Sequence, residues 1–109
     1  MNTKIKFTYK DVPYTLEYDR DSIRVMEQHG FSLNEMKDKP MNNMILAFKG
    51  LFIKNHRKTN DNLVNEIYDN FKNKEKLLDT ILIMIDETYA TLFDDENDDN
   101  VGNIEWDIA

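Results

Sequence analysis

Hydrophobic residues alternate with polar residues along the first part of the chain and follow helical spacing along the rest. Between residues 4 and 18, apolar side chains occupy every second position on either side of Lys10-Asp11. A period of two places them on one face of a β-hairpin that turns at Lys10-Asp11. Pro13 has no amide hydrogen, so we expect its side of the strand to face solvent or a bulge. A lone hairpin is marginally stable in water, so this one is expected to pack on helices.

A short helix is predicted over about residues 20–29, directly after the hairpin. Asp19 is a suitable N-cap residue, and Gly30 suits the left-handed position that follows a helix. Further along, Ser32 and Glu35 have the spacing of a capping box, which predicts a single helical turn.

The most apolar long run of the chain is residues 41–56, and it predicts a central helix with Pro40 in its first turn. One face of that helix carries apolar residues at helical spacing, namely Met41, Met44, Ile45, Phe48 and Phe52. Leu46, Leu51 and Ile53 lie outside this line, so the apolar arc is wide. We expect neighbours on several sides of this helix and a partner-binding surface formed by Met44, Phe48, Leu51 and Phe52.

Two more helices are predicted, over about 61–72 and 74–93, with Asn73 as the cap of the second. Residues 81–85 of the last helix are all apolar, and Ile83 and Met84 lie off its main stripe. Apolar residues on all sides of a surface helix indicate an interface, so Ile83 and Met84 are candidate partner-binding residues. The alternative is that a neighbouring loop covers them.

The end of the chain differs in character from the rest. Residues 94–100 contain five acidic residues in seven positions, which predicts a flexible segment. Ile104, Trp106 and Ile108 then alternate with polar residues, as in a strand that adds to a sheet edge of the same chain or of a partner. The alternative is a frayed terminus. The sequence therefore predicts one α+β domain over 1–93, with a hairpin packed on a bundle of about four helices, and an acidic tail over 94–109.

Composition limits the possible functions. The chain has no cysteine, which excludes disulfides, thiolate zinc sites and a cysteine nucleophile and fits a reducing cytoplasm. We expect no signal peptide, and the longest apolar run is too short to span a membrane. The net charge is −7, and from Leu77 onward there are ten acidic residues and no basic one, whereas the preceding part has fourteen basic and eleven acidic residues. The tail could therefore fold back on the body, screen it or meet a basic partner. The alternative is that the tail only keeps the protein in solution.

No set of residues has the spacing of a catalytic or metal site. His29 and His56 end predicted helices and have no evident partner, so we interpret them as helix-end residues. A calcium loop in the Gly102 register would place Val101 at a ligand position, where its side chain cannot ligate. The basic cluster at 54–58 is short and lacks aromatic residues, which favours a solvated helix end over a nucleic-acid site. We therefore expect no enzyme activity, no metal and no cofactor.

Four stretches of the chain, taken in order, carry a resemblance to a known family. They are the lysine-rich hairpin KIKFTYKDVPYTLEYDRDSIRVMEQHGF, the central KPMNNMILAFKGLFIKNHRK, the segment EIYDNFKNKEKLLDTILIMIDETYATLFDD and the end NIEWDI. In their order, length and pattern they resemble the small tail assembly chaperones of long-tailed phages and prophages of Gram-positive bacteria.

The resemblance implies a non-catalytic protein that acts in the host cell cytoplasm and is absent from the mature virion. It would coat the hydrophobic helical tape measure protein and keep it soluble until tail tube protein polymerises around it, and many relatives self-associate. The partner-binding residues come from the excess of apolar surface and not from a family motif. They are Met44, Phe48, Leu51, Phe52, Ile83, Met84, Ile104, Trp106 and Ile108.

Two other functions are weighed against this one. The first is an acidic inhibitor that mimics DNA and blocks a host nucleic-acid enzyme, which would lose its activity on deletion of residues 94–109. Against it, the negative charge is concentrated in a tail and not spread along a rigid face. The second is an enzyme, which would need convergent polar groups in a pocket, and the sequence offers no such set.

Overall fold

A computed structural model describes residues 2–36, 38–93 and 104–108. Within these residues a two-stranded antiparallel hairpin is followed by four helices, so the fold is α+β, as the sequence predicts. The elements are β1 (Ile5–Tyr9), β2 (Val12–Leu16), α1 (Arg20–Gln28), α2 (Pro40–Gly50), α3 (Asp61–Asn70) and α4 (Lys74–Ala90).

The hairpin turns at Lys10 and Asp11, which confirms the predicted turn. Tyr9 lies opposite Val12, so Lys10 and Asp11 form the whole loop. Their φ angles are 49° and 66°, as a tight turn that follows the twist of the strands requires. Asp tolerates this left-handed conformation, and a Lys there is less common. The turn therefore forms without the Asn-Gly or Asp-Gly pair that is typical of two-residue hairpin loops.

The predicted caps of α1 are confirmed at both ends. Asp19 accepts a hydrogen bond from the Ser22 amide at 2.7 Å, and the Ser22 hydroxyl accepts one from the Asp19 amide at 2.8 Å. Gly30 has a φ of 101°, and the amide of Phe31 donates to the Met26 carbonyl at 3.0 Å. This is the left-handed helix ending that a glycine favours, and it places Phe31 in the core.

The central helix α2 is shorter than predicted, because it ends at Gly50 and not near His56. Beyond Gly50 the amides of Leu51, Phe52 and Ile53 donate to carbonyls three residues back, so the chain continues as tight turns. Glycine has low helix propensity, which helps to end the helix there.

These turns cover the outer edge of β2. The amide of Thr15 donates to Nε2 of His56 at 3.0 Å, and Nδ2 of Asn55 donates to the Thr15 carbonyl at 3.1 Å. The amide of Glu17 donates to the Leu51 carbonyl at 3.4 Å. The exposed Pro13 has no amide hydrogen to satisfy on this edge. The amide and carbonyl that Thr15 turns away from β1 are thus satisfied within the chain.

The last two helices begin where predicted and end earlier. Asn73 caps α4 in the left-handed conformation, and its Oδ1 accepts from the Lys76 amide at 3.1 Å. α3 stops at Asn70 because Phe71 is extended, with ψ at 128°. α4 stops at Ala90, so the predicted bounds of 72 and 93 are too long by two and three residues.

One cluster of buried side chains joins the hairpin to all four helices. Phe48 lies at its centre, with the rings of Phe52, Tyr68 and Phe71 at centroid distances of 5.4, 5.1 and 5.5 Å in edge-to-face arrangements. The buried apolar members are Tyr14, Leu16, Tyr18, Ile23, Met26, Phe31, Ala47, Phe48, Leu51, Phe52, Val64, Ile67, Leu77, Ile81, Met84 and Ile85. The core is therefore built around α2, which the other elements surround.

Candidate protein-binding surfaces

Four of the residues expected to bind a partner belong to the core. Phe48, Leu51, Phe52 and Met84 have exposed fractions of 2, 0, 3 and 2%. The wide apolar arc of α2 is covered by the rest of the fold, and Met84 packs in the same cluster. A partner cannot touch these side chains in the folded chain, so their placement on a binding surface is wrong.

Two of the expected residues reach the surface of the helices. Met44 is half-buried, and Ile83 is 54% exposed. No loop covers Ile83 among the described residues, but its neighbours one turn away, Asp79 and Asp86, are exposed acids. Ile83 is thus a single apolar residue on a polar face and not part of an apolar patch.

The three apolar residues of the tail are fully available to a partner. Ile104, Trp106 and Ile108 have exposed fractions of 83, 82 and 87%. Across the residues that the structure describes, the sheet has only the two hairpin strands, so this segment is not paired there. The predicted flexible stretch 94–100 lies outside the described residues.

A surface of which the sequence analysis named only Met44 as a binding residue lies at the start of α2. Met41 is 78% exposed and Ile45 is 44% exposed, and Met36 and Met44 beside them are half-buried. We call these four residues the methionine surface. A groove of about 180 Å³ runs beside it, lined by Met36, Pro40, Met44, Tyr68, Lys74 and Leu78. Met41 and Ile45 belong to the predicted apolar stripe of α2. That they face outward follows only from the positions of α1, α3 and α4 around α2.

Both histidines line a cleft of about 260 Å³ between α1 and the end of α2, and each is engaged by the backbone. Nδ1 of His29 lies 2.9 Å from the Val25 carbonyl at the end of α1, as its predicted helix-end role requires. Nε2 of His56 accepts from Thr15, so His56 fixes the edge of β2 and does not end a helix as predicted. Among the described residues, no group of three or more His, Asp or Glu could hold a metal ion.

The basic cluster at 54–58 contributes to the fold through two ion pairs. Lys54 Nζ lies 2.9 Å from Glu17, and Arg57 lies 3.1 Å from Asp21. Glu17 is 7% exposed and also accepts from Nδ2 of Asn55 at 2.8 Å. The hydrogen bond from Lys54, with further help from Asn55 and Lys4, lowers the pKa of the Glu17 carboxyl despite its burial.

This lowered pKa predicts a pH-dependent contribution to stability. A carboxyl whose folded pKa lies below its unfolded value stabilises the fold above the unfolded value of about 4.5, and the contribution is lost as pH falls through the folded pKa. We expect Glu17→Gln to lower the free energy of unfolding by about 1–3 kcal/mol at pH 7. The difference in free energy of unfolding between Glu17→Gln and the natural chain should become smaller below pH 4.5.

Urea unfolding at pH 7 and at pH 3 measures this difference. Asp86→Asn, at an exposed position on α4, is the control and should differ little from the natural chain at either pH. A gap between Glu17→Gln and the natural chain that stays constant down to pH 3 would contradict the assigned role of the carboxylate.

The helices give no candidate for a membrane span, since none in the described part of the chain combines sufficient length with sufficient hydrophobicity.

Comparison with known proteins identifies one family. No curated protein and no solved structure matches the chain. The model of the family DUF5055, a domain of unknown function, matches residues 1–109. The match spans the whole chain, so this protein belongs to the DUF5055 family.

Proposed function

We propose that this chain is a non-catalytic tail assembly chaperone that binds the tape measure protein of a long-tailed phage or prophage. It keeps that hydrophobic helical client soluble in the host cytoplasm until tail tube protein polymerises around it, self-associates, and is absent from the mature virion. The support is the resemblance of four sequence stretches together with one structural observation, the exposed methionine surface.

The chemistry of the methionine surface suits a long helical client. Methionine side chains are unbranched and polarisable, so they adapt to many apolar shapes without needing a fixed hydrogen-bonding partner. The adjoining groove, with Tyr68 and Leu78 in its walls, can accept side chains from one face of a helix. The exposed side chain of Lys74, which lines the groove, keeps one side of the surface in contact with water. A surface of this kind can contact many positions along a client whose sequence changes from turn to turn.

Co-expression with a tape measure fragment that is insoluble by itself tests the proposal. The natural chain should bring the fragment into the soluble fraction and purify with it. The double variant Met41→Glu/Ile45→Glu should lose this effect by at least about tenfold, because two carboxylates would have to be desolvated against the client. Both positions are exposed, so the domain should fold normally.

The control is Ile83→Glu, which places one such carboxylate at an apolar residue on α4 whose exposure, 54%, lies between those of Ile45 and Met41. It should solubilise the fragment as well as the natural chain does. Equal loss in both variants, or an insoluble fragment in every case, would contradict the proposed surface. Inhibition of a nucleic-acid enzyme that is lost on deletion of residues 94–109, and kept in the Met41→Glu/Ile45→Glu variant, would favour the DNA-mimic alternative.

A further inference from the structure

The hairpin has one closed edge and one open edge. On β2, the amide and carbonyl of Thr15 bond to His56 and Asn55, so they point away from β1. Lys6 lies opposite Thr15 in the register. In an antiparallel pair such residues turn their backbone groups to opposite outer edges, so those of Lys6 point outward from β1. Within the described residues, no group outside the β1–β2 pair hydrogen-bonds to the backbone of Lys6.

The open edge of β1 is also basic. The side chains of Lys4 and Lys6 are exposed on the hairpin. Lys72, just before α4, and Lys76, in the first turn of α4, are exposed beside it. No carboxylate of the described chain lies within ion-pair distance of Lys6, Lys72 or Lys76. A free strand edge with unneutralised lysines resists pairing with most strands, but it favours one that carries acidic residues.

A groove along this edge has an apolar floor. Its volume is about 260 Å³, and Ile5, Phe71 and Leu77 line it below a rim formed by Lys4, Lys72 and Lys76. A strand that adds to β1 would direct every second side chain towards the side of Ile5 and the intervening ones towards the side of Lys4 and Lys6.

The end of the chain has the complementary pattern. Ile104, Trp106 and Ile108 alternate with Glu105 and Asp107 in an extended segment. When its apolar residues face the groove, Glu105 and Asp107 fall on the side of Lys4 and Lys6. The single tryptophan then leaves solvent, where it is 82% exposed, for the groove beside Ile5.

We propose that residues Ile104–Ile108 of one copy add as a third strand to the open edge of β1 in a second copy, with Trp106 in the groove beside Ile5. In the described part of a single chain, both the edge of β1 and the segment are unpaired, and a second copy satisfies both. Reciprocal exchange fills both edges and closes the assembly as a symmetric dimer. The ten residues 94–103 can span at most about 33–36 Å, which sets the greatest distance at which the edge of the second copy can be reached.

This inference gives a structural basis for the self-association that is part of the proposed function. It rests on the proposed function for that self-association only, and not for client binding. Its test contains no client, so the exchange can fail while client binding is retained, and the reverse also holds.

The test measures solution mass by light scattering over a range of concentrations. The natural chain should form a dimer. Trp106→Ala should weaken dimerisation by at least about 30-fold, the effect expected on removing a central aromatic anchor. Phe93→Ala, which removes a residue that is 91% exposed outside the segment, is the matched control and should dimerise normally.

The acceptor edge is tested by Lys6→Pro. The Lys6 amide points outward, so proline there should spare the bonds between β1 and β2, as the natural Pro13 does on β2. Circular dichroism checks the fold of the variant. Lys6→Glu is the second acceptor variant, and its loss of dimerisation should be partly restored by Glu105→Lys/Asp107→Lys.

Mixing the two defective chains distinguishes exchange between copies from docking within one. Trp106→Ala keeps an intact edge and Lys6→Pro keeps an intact tail, so an equimolar mixture should form a heterodimer joined by one strand. A natural chain that stays monomeric at all concentrations would overturn the proposal. This includes the case in which the tail docks on β1 of its own chain, which protection of the Lys6 amide from hydrogen exchange in a monomer would reveal. Normal dimerisation of Trp106→Ala and of both Lys6 variants would also overturn it.

Discussion

Replacing Phe48 with alanine is expected to lower the free energy of unfolding by about 3–5 kcal/mol. The Phe48 side chain is 2% exposed and touches three aromatic rings, those of Phe52, Tyr68 and Phe71. These rings come from the turns after α2, from α3 and from the residue after α3, so they cannot collapse into the space together. The substitution therefore loses the buried area of one ring and leaves a cavity at the centre of the core.

Urea or thermal unfolding of Phe48→Ala measures this loss. Phe93→Ala is the control with the same chemical change, and because Phe93 is 91% exposed, its effect should stay within about 0.5 kcal/mol. Similar stabilities for the two variants would contradict the assignment of Phe48 to the core and return it to the binding surface that the sequence predicts.

Replacing Gly50 with valine is the second change with a large expected effect. A Cβ atom at Gly50 would lie 2.2 Å from Sδ and 2.6 Å from Cγ of Met26, and 3.4 Å from Cε1 of Tyr18. Met26 is itself 2% exposed, so its side chain has little room to move aside. We expect α1 and α2 to be forced apart, with a loss of about 1–3 kcal/mol in the free energy of unfolding.

A double-mutant cycle with Met26→Ala tests whether this contact is the cause. Met26→Ala alone should destabilise the fold by about 2–5 kcal/mol, and it also opens the space that valine needs. The combined variant Met26→Ala/Gly50→Val should therefore be more stable than the sum of the two single losses predicts. Strict additivity would show that Gly50→Val acts elsewhere.

The local elements of this fold could be predicted because their signals are local. Alternation identified the hairpin, and the caps at Asp19, Gly30 and Asn73 have the partners or the backbone angles that their residue types favour. The end of α2 could not be predicted in the same way. Residues 51–56 continue the apolar pattern of a helix, but they turn to satisfy the open edge of β2, which is a tertiary requirement.

The binding surface was harder to predict than the fold for a related physical reason. An apolar residue on a helix has the same appearance in the sequence whether it faces the core or a partner. Ile83 and Met84 are neighbours, yet Met84 is buried and Ile83 is exposed. Likewise Met41 faces solvent and Phe48 faces the core on the same predicted stripe. Only the positions of the surrounding helices separate the two cases.

The measurement that tests the proposed function most directly is the NMR spectrum of methyl-labelled methionines with and without a soluble helical fragment of a tape measure protein. Five of the six methionines lie in the described part of the chain and report on different places. We predict that the methyl signals of Met36, Met41 and Met44 shift on binding. The buried Met26 and Met84 should stay unchanged. Binding that leaves Met41 and Met44 unchanged, or no binding at all, would contradict the account.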